Sequence, residues 1–244
     1  MFETLTSFQL ATSVAILAIA YFIRGIAGFG SGLIAVPLLA LVLPFSLVVP
    51  LMILLDYLAS LSEGMSNRQD VRWKEILPLI PFSLIGVVIA MLFLTQADAL
   101  VLIKALGVFI ILYGLFALSG FRPKAGAARG WGVLAGVSGG IIGTLFGTGG
   151  PFYVSYFDAR GLGKAAFRAT LATMFLLDGA WRMVAYAVAG RFTPGFLTLV
   201  AAALPILALF MYFGRHVHTK LTETQFQRGI SVLLIVSGIA LLLK

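Results

Sequence analysis

Long apolar runs recur from one end of this chain to the other, and they decide what backbone it can use. Phe8–Ile23, Leu77–Leu94 and Ile230–Leu243 carry no charged residue, and runs of about 17–25 residues match the hydrocarbon core of a bilayer. Backbone N–H and C=O groups in lipid must find partners within their own segment, so such runs fold as helices. Hydrophobic residues make up 61% of the 244 positions, against roughly 45–50% in soluble domains. The expectation is an all-α polytopic membrane protein with no soluble domain.

One short phrase interrupts this pattern twice. Phe29-Gly30-Ser31-Gly32 and Phe146-Gly147-Thr148-Gly149 each place a glycine-rich, hydroxyl-bearing bend between apolar stretches. A bend exposes backbone donors that lipid cannot satisfy, so it belongs where it lines something polar. Matched interruptions in two halves of a hydrophobic chain point to a transporter's binding site.

The halves match elsewhere too. Leu54-Leu55-Asp56 corresponds to Leu176-Leu177-Asp178, and the stretch from Lys104 to Gly114 to that from Arg228 to Gly238. The spacing drifts from 117 residues (Phe29 to Phe146) through 122 (Asp56 to Asp178) to 124 (Lys104 to Arg228), as loop insertions in a diverged duplication produce. Residues 1–119 form the first membrane repeat, 120–130 a linker, and 131–244 the second repeat. Each holds about four to five hydrophobic segments.

The net charge of +8 is concentrated in short loops, which follows the positive-inside rule rather than a nucleic-acid-binding face. Basic loops 66–74, 120–130, 159–168 and 214–221 are expected on the cytoplasmic side of the cell (inner) membrane. The turns near 45 and 97 lack Lys and Arg, and that near 191 has only Arg191. Matched segments then run in opposite directions, an inverted-topology repeat suited to alternating access. Met1 to Ile23 has no Lys or Arg, so the basic n-region of a cleavable signal is not expected. The segments around the bends are either paired crossings or re-entrant hairpins. About ten residues from Gly150 to Arg160 make roughly 15 Å of helix, half of an approximately 30 Å core, which favours broken or re-entrant helices.

A helix begins after each bend, with Ser31 or Thr148 expected at the N-cap and Pro151 in the first turn of the second. A helix N-terminus presents unpaired N–H groups and about half a positive charge, which suits an anion. Gly30, Ser31, Gly32, Gly147, Thr148, Gly149 and Gly150 are therefore candidate substrate-binding residues. Close helix packing is the competing role for such glycines. Ionisable residues at membrane depth add to the set, because burying them is costly. Arg24 precedes the first bend, and Arg182 follows Asp178 by one helical turn, close enough to pair. Arg24 and Arg182 are candidate anion ligands. Asp56 and Asp178 are candidate coupling or gating groups, with Asp56 free to carry a proton or to pair with Arg24. Phe152, Tyr153, Tyr156 and Phe157 either wall a site or pack and anchor. Trp73 and Trp131 read as interface anchors.

Several classes have no support. The chain has no cysteine, so thiol chemistry and Cys-based metal sites are absent. His216 and His218 lack a carboxylate cluster, and no Ser-His-Asp order, HExxH or P-loop occurs. Neither an enzyme, a cofactor nor a metal site is expected.

The glycine phrases, extended to Gly25-Ile-Ala-Gly28-Phe-Gly-Ser-Gly32-Leu-Ile-Ala-Val-Pro37 and Gly143-Thr-Leu-Phe-Gly-Thr-Gly-Gly-Pro151, resemble those of the TauE/SafE sulfite-exporter family of membrane permeases. The resemblance extends to the size and the duplicated halves, and covers nearly the whole chain. It implies ATP-independent transport of a small sulfur-containing anion, sulfite or an organosulfonate, and reaches only the glycine phrases residue by residue. Sulfonates stay ionised across the physiological range, so the protein must supply donors and positive potential in place of water. The reading is a secondary transporter working by alternating access, possible proton coupling resting on Asp56 or Asp178. A passive anion channel is the alternative. The expected partners are the substrate anion and the bilayer.

Overall fold

A computed structural model describes residues 6–64, 68–120, 130–217 and 223–244. Nearly all of the 120–130 linker, and the parts of the basic loops at 66–67 and 218–221, lie outside the described residues. The helices are α1 (Ser7–Ala27), α2 (Ser31–Val42), α3 (Phe45–Gly64), α4 (Trp73–Ile76), α5 (Ile80–Leu94), α6 (Ala99–Leu118), α7 (Trp131–Phe146), α8 (Gly150–Ala159), α9 (Lys164–Val188), α10 (Pro194–His216) and α11 (Glu223–Leu243). A 3-10 turn at Arg68–Asp70 precedes α4. No strand occurs among the described residues, and α1, α3, α6, α9 and α10 are each long and apolar enough to cross a membrane. The bends are flanked by shorter pieces: α2 has 12 residues, α7 has 16 and α8 has 10.

Two basic segments are narrower than the charge pattern implies. Lys164 and Arg168 begin α9, and Arg215 and His216 form the last turn of α10. Arg215 thereby sits at the negative end of the α10 dipole, whereas Lys164 and Arg168 lie at the positive end of α9.

The described residues form two compact units that do not coincide with the halves of the chain. The first comprises Met1–Met52, Ala97–Phe121 and Pro194–Lys244; the second comprises Ile53–Gln96 and Arg122–Thr193. In the first, α1 packs along α10 and α6 along α11, with α2 against α1 and α11. In the second, α5 packs along α7, and α8 against α7 and α9. Each half of the chain runs through the same order of five apolar helices, so α1 corresponds to α7 and α10 to α5. Both pairings therefore join a helix of one half to a helix of the other.

These crossings are made backbone to backbone. A Cβ on Gly25 of α1 would lie 2.8 Å from Gly214 Cα of α10, and one on Gly86 of α5 would lie 3.0 Å from Gly140 Cα of α7. A Cβ on Gly107 of α6 would lie 3.0 Å from the Gly238 carbonyl oxygen of α11. Water supplies no hydrophobic drive between helices in lipid, so close van der Waals approach over small residues takes its place. Gly140→Ala forces its methyl onto the Ser83 carbonyl, which is backbone and cannot swing aside. The expected cost is about 1–3 kcal/mol of overpacking, read as a lower melting temperature of the purified protein in detergent. An unchanged melting temperature would contradict this packing.

The outward faces are bare and apolar, as lipid requires: Ile85, Val88, Leu92 and Phe93 on α5, and Val101, Val108, Leu112 and Leu115 on α6, are exposed. Trp73 and Trp131 are also exposed, in keeping with an anchoring role.

Polar contacts tie the ends of each unit. In the first, Thr6 and Gln9 form a reciprocal cap at the start of α1, and Gln9 Nε2 donates to the Val42 carbonyl at the end of α2 at 2.9 Å. Lys244 Nζ donates to the Ala40 carbonyl at 2.8 Å, a cation placed on carbonyls at a helix C-terminus. In the second, Arg72 N donates to Thr170 Oγ1 at 3.0 Å, and Arg160 forms a forked ion pair with Glu75 at 2.8 and 3.2 Å. Tyr156 donates to the same carboxylate at 3.3 Å. The hydrogen bonds to Glu75 raise the Arg160 pKa above its ordinary value, so the guanidinium stays charged at any working pH.

Candidate functional site

Each bend lies within one unit and is built by glycines that reverse the chain. In the first, α1 stops at Ala27 and Gly28 adopts φ 84°, its amide donating to the Arg24 carbonyl at 2.6 Å. Phe29 follows, then Gly30 at φ 96°, and α2 starts at Ser31. In the second, α7 stops at Phe146 and Gly147 adopts φ 67°, its amide donating to the Gly143 carbonyl at 2.9 Å. Thr148 and Gly149 follow, and α8 starts at Gly150. Left-handed φ values exclude most side chains on steric grounds, which is why the chain needs glycine there.

The expected capping is corrected by this geometry. The N-caps are Gly30 and Gly149, neither with a side-chain cap. Ser31 is instead the first residue of α2, and Thr148 lies inside the bend. Pro151 does fall in the first turn of α8. By structural role, Gly28 matches Gly147 and Gly30 matches Gly149, a spacing of 119 residues rather than the 117 of the repeated letters. The register shifts by two because Phe29 lies between the glycines of its bend, whereas Phe146 ends its helix.

The shifted register pairs Arg24 with Gly143, and this explains how each bend acquires an arginine. Arg24 is 2% exposed, and its Nη1 donates to Ser31 Oγ at 3.2 Å. At the second bend Gly143 leaves the corresponding place empty of side chain, and the Arg182 guanidinium from α9 lies against it. A Cβ on Gly149 would come 3.0 Å from Arg182 Nη2. Two arginines supplied from different helices thus reach the two bends.

Around Arg182 the second bend is dense in polar groups. Asp178, fully buried, forms an ion pair with Arg182 one turn away on α9. Asp56 acts electrostatically on Arg182, and Tyr57 packs on Gly179. Tyr186, a further turn along α9, donates to the Thr144 carbonyl at 2.8 Å. The Tyr153 ring lies over Gly139, its hydroxyl 2.8 Å from where a Cβ would stand. That hydroxyl is near Ser83 but not in hydrogen-bonding geometry. Tyr153 also packs edge-on against Phe175, whose ring reaches Gly150.

The structure therefore gathers Gly147, Thr148, Gly149, Gly150, Asp178, Arg182 and the influence of Asp56 in one unit, and Arg24, Gly30, Ser31 and Gly32 in the other. Both repeat-related aspartates, Asp56 and Asp178, lie in the second unit. Of the aromatics after the second bend, Tyr153 walls it, Tyr156 serves Glu75, and Phe157 is wholly buried. Gly139 adds to the residues named from the sequence, and Gly143 and Tyr153, named there only in the glycine phrase and among the aromatics, line the same bend. The spacing of Gly136, Gly139, Gly140 and Gly143 marks two close faces of α7, but which face receives Arg182 depends on tertiary packing. His216 Nδ1 lies 2.8 Å from the Tyr212 carbonyl, within its own helix.

Broken helices that end in buried, cation-lined bends, set among apolar spans, define a multi-pass membrane protein of the transporter class. The chain belongs to the sulfite exporter TauE/SafE family, whose model matches residues 13–241. It is 29% identical over 194 residues to the probable inner membrane transporter protein TsaS of Comamonas testosteroni, covering 78% of this chain and 81% of that one. It is 24% identical over 241 residues to the probable sulfite/organosulfonate exporter TauE of Cupriavidus necator, covering 94% and 92%. A probable membrane transporter protein of Haemophilus influenzae is 24% identical over 253 residues, covering 93% and 96%. No solved structure matches the chain significantly.

Proposed function

We propose that the protein is a secondary transporter of a small sulfur-containing anion of the sulfite or organosulfonate class, working by alternating access. The observation that carries this reading is the buried arginine at each glycine bend. Each bend offers helix N-terminal amides, a guanidinium and a hydroxyl, Ser31 in the first and Thr148 in the second. Together they replace the hydration of a permanently ionised group without crowding several bare charges into the membrane. The family's description as sulfite exporters and the one relative named a probable sulfite/organosulfonate exporter support the substrate class. Asp178, and Asp56 near it, supply carboxylates that can exchange protons, which supports coupling of anion and proton.

The repeat is proposed to be inverted, with 1–119 and 131–244 as its halves and the basic loops cytoplasmic. Two contacts favour the shared side of loops 66–74 and 159–168: Arg72 with Thr170, and Glu75 with Arg160. Cysteine-accessibility labelling at Lys74 and Arg160 in intact cells checks it. Labelling at both by a membrane-impermeant reagent from outside would overturn that orientation.

A thermal-shift screen of the purified protein against sulfite, thiosulfate, sulfate, taurine and sulfoacetate tests the substrate class. A ligand that binds the folded state raises its melting temperature, by about 2.7 kcal/mol of stabilisation at one hundred times Kd. A rise with at least one sulfur anion and none with chloride is expected. No rise with any of them would contradict the reading.

A further inference from the structure

The second bend holds more hydrogen-bonding capacity than its own residues use. Among the described residues, Thr148 Oγ1, Tyr153 Oη and Arg182 Nε are buried and have no hydrogen-bond partner. Thr148 is 2% exposed and Tyr153 fully buried. Unsatisfied buried polar atoms are rare in folded proteins and ask for a reason. Here all three can donate, and they lie beside the glycines of α7 and α8. Gly139 makes room for the phenol and Gly143 for the guanidinium. A threonine, a tyrosine and an arginine offer three donors at this bend, as many as a pyramidal sulfur head group has oxygens. Meanwhile the charge of Arg182 is held by Asp178, which is fully buried and lies on the same helix.

Resting on the transport reading above, we infer that Asp178 is the resident stand-in for the transported anion. A sulfonate or sulfite group takes its place on Arg182, with Thr148 and Tyr153 donating to the remaining oxygens, and Asp178 takes up one proton from water as it leaves the pair. The balance is simple. Before binding, Arg182 and ionised Asp178 sum to zero; afterwards Arg182, the monoanion and a neutral carboxylic acid again sum to zero. A carboxylate stripped of its arginine at such depth has no water to hold its charge, so it neutralises. Anion and proton are thereby bound together without a separate coupling site.

The groups facing Asp178 are few. Asp178 pairs with Arg182 on its own helix, and around Arg182 lie Tyr186 of α9, Tyr153 of α8 and Asp56 of α3, with Tyr57 against the neighbouring Gly179. Neither α5 nor α7 carries a titratable side chain. The 3-10 turn and α4, with Arg68, Asp70, Lys74 and Glu75, meet α9 nearer its start, where Arg72 N bonds Thr170. Among the described residues, Asp56 is the other acid that acts on this pair.

The test is calorimetry of ethanesulfonate, sulfite and thiosulfate binding to the purified full-length protein, in buffers of different ionisation enthalpy. Ethanesulfonate brings no proton equilibrium of its own near neutrality. The expected result is uptake of about one proton per ethanesulfonate bound, with affinity weakening about tenfold per pH unit on the alkaline side. Asp178→Asn should bind with no proton uptake and no pH slope. Tyr153→Phe should weaken binding roughly ten- to hundredfold, the range for a hydrogen bond to a charged group, while leaving the proton count unchanged. Wild-type binding without proton uptake, or uptake that survives in Asp178→Asn, would overturn the inference. Failure of all three anions to bind wild type would instead sink the transport reading beneath it. Should Asp178→Asn not fold, the wild-type proton count and the Tyr153→Phe affinity still decide.

Discussion

Arg182→Leu is expected to destabilise the protein by about 3–5 kcal/mol, the cost of leaving one partner of a buried ion pair uncompensated. The guanidinium leaves behind Asp178, which has no exposed surface. Combining Arg182→Leu with Asp178→Leu should recover most of that loss, because a buried ion pair and an apolar pair of similar size are often equal in stability. Neither variant should bind a sulfur anion. Stability is read by thermal unfolding in detergent and binding by ligand-induced shifts. A single mutant as stable as wild type would show that the pair is not buried as described. A double mutant that binds would remove Arg182 from the site.

Gly143→Ala should separate function from folding. Its methyl lands on the Arg182 guanidinium, the far end of a flexible side chain that can move. The fold should therefore survive with little change in melting temperature. Anion binding should weaken roughly ten- to hundredfold as the guanidinium is pushed off the bend, the range for a lost charged hydrogen bond. Gly140→Ala, three residues earlier on the same helix, strikes backbone instead and should cost stability. The contrast can be measured in one pair of purified variants. If Gly143→Ala bound the anion as wild type does, the guanidinium would not need its place against α7.

How much of this could be read from the letters varied by element. The apolar runs gave the helices directly, since lipid leaves the backbone no alternative. The bends were visible as glycine clusters, and α8 is as short as the spacing from Gly150 to Arg160 implied. Their inner register was not visible. Aligning identical letters put Ser31 against Thr148, while the backbone matches Gly28 with Gly147 and so sets Arg24 against Gly143. Intramembrane Arg24, Asp56, Asp178 and Arg182 stood out by cost alone, and the pairing of Asp178 with Arg182 followed from helical spacing. That Arg182 fills the gap at Gly143 could not be deduced. It depends on how α9 packs, as does the partnership of α1 with α10 and of α5 with α7. Whether Tyr153 walls a site or only packs was open in the letters, because nothing local tells a phenol with a partner from one without.

Each arginine-bearing bend is proposed to take part in holding the anion during saturable transport. The most direct test is counterflow of radiolabelled sulfite or thiosulfate in proteoliposomes, comparing wild type with Arg24→Gln and Arg182→Gln, each checked for correct folding. Saturable, concentration-driven counterflow is expected in wild type, with its loss in both folded variants. Counterflow at the wild-type rate in either variant, or unsaturable flux with the currents of an open channel, would contradict the proposal.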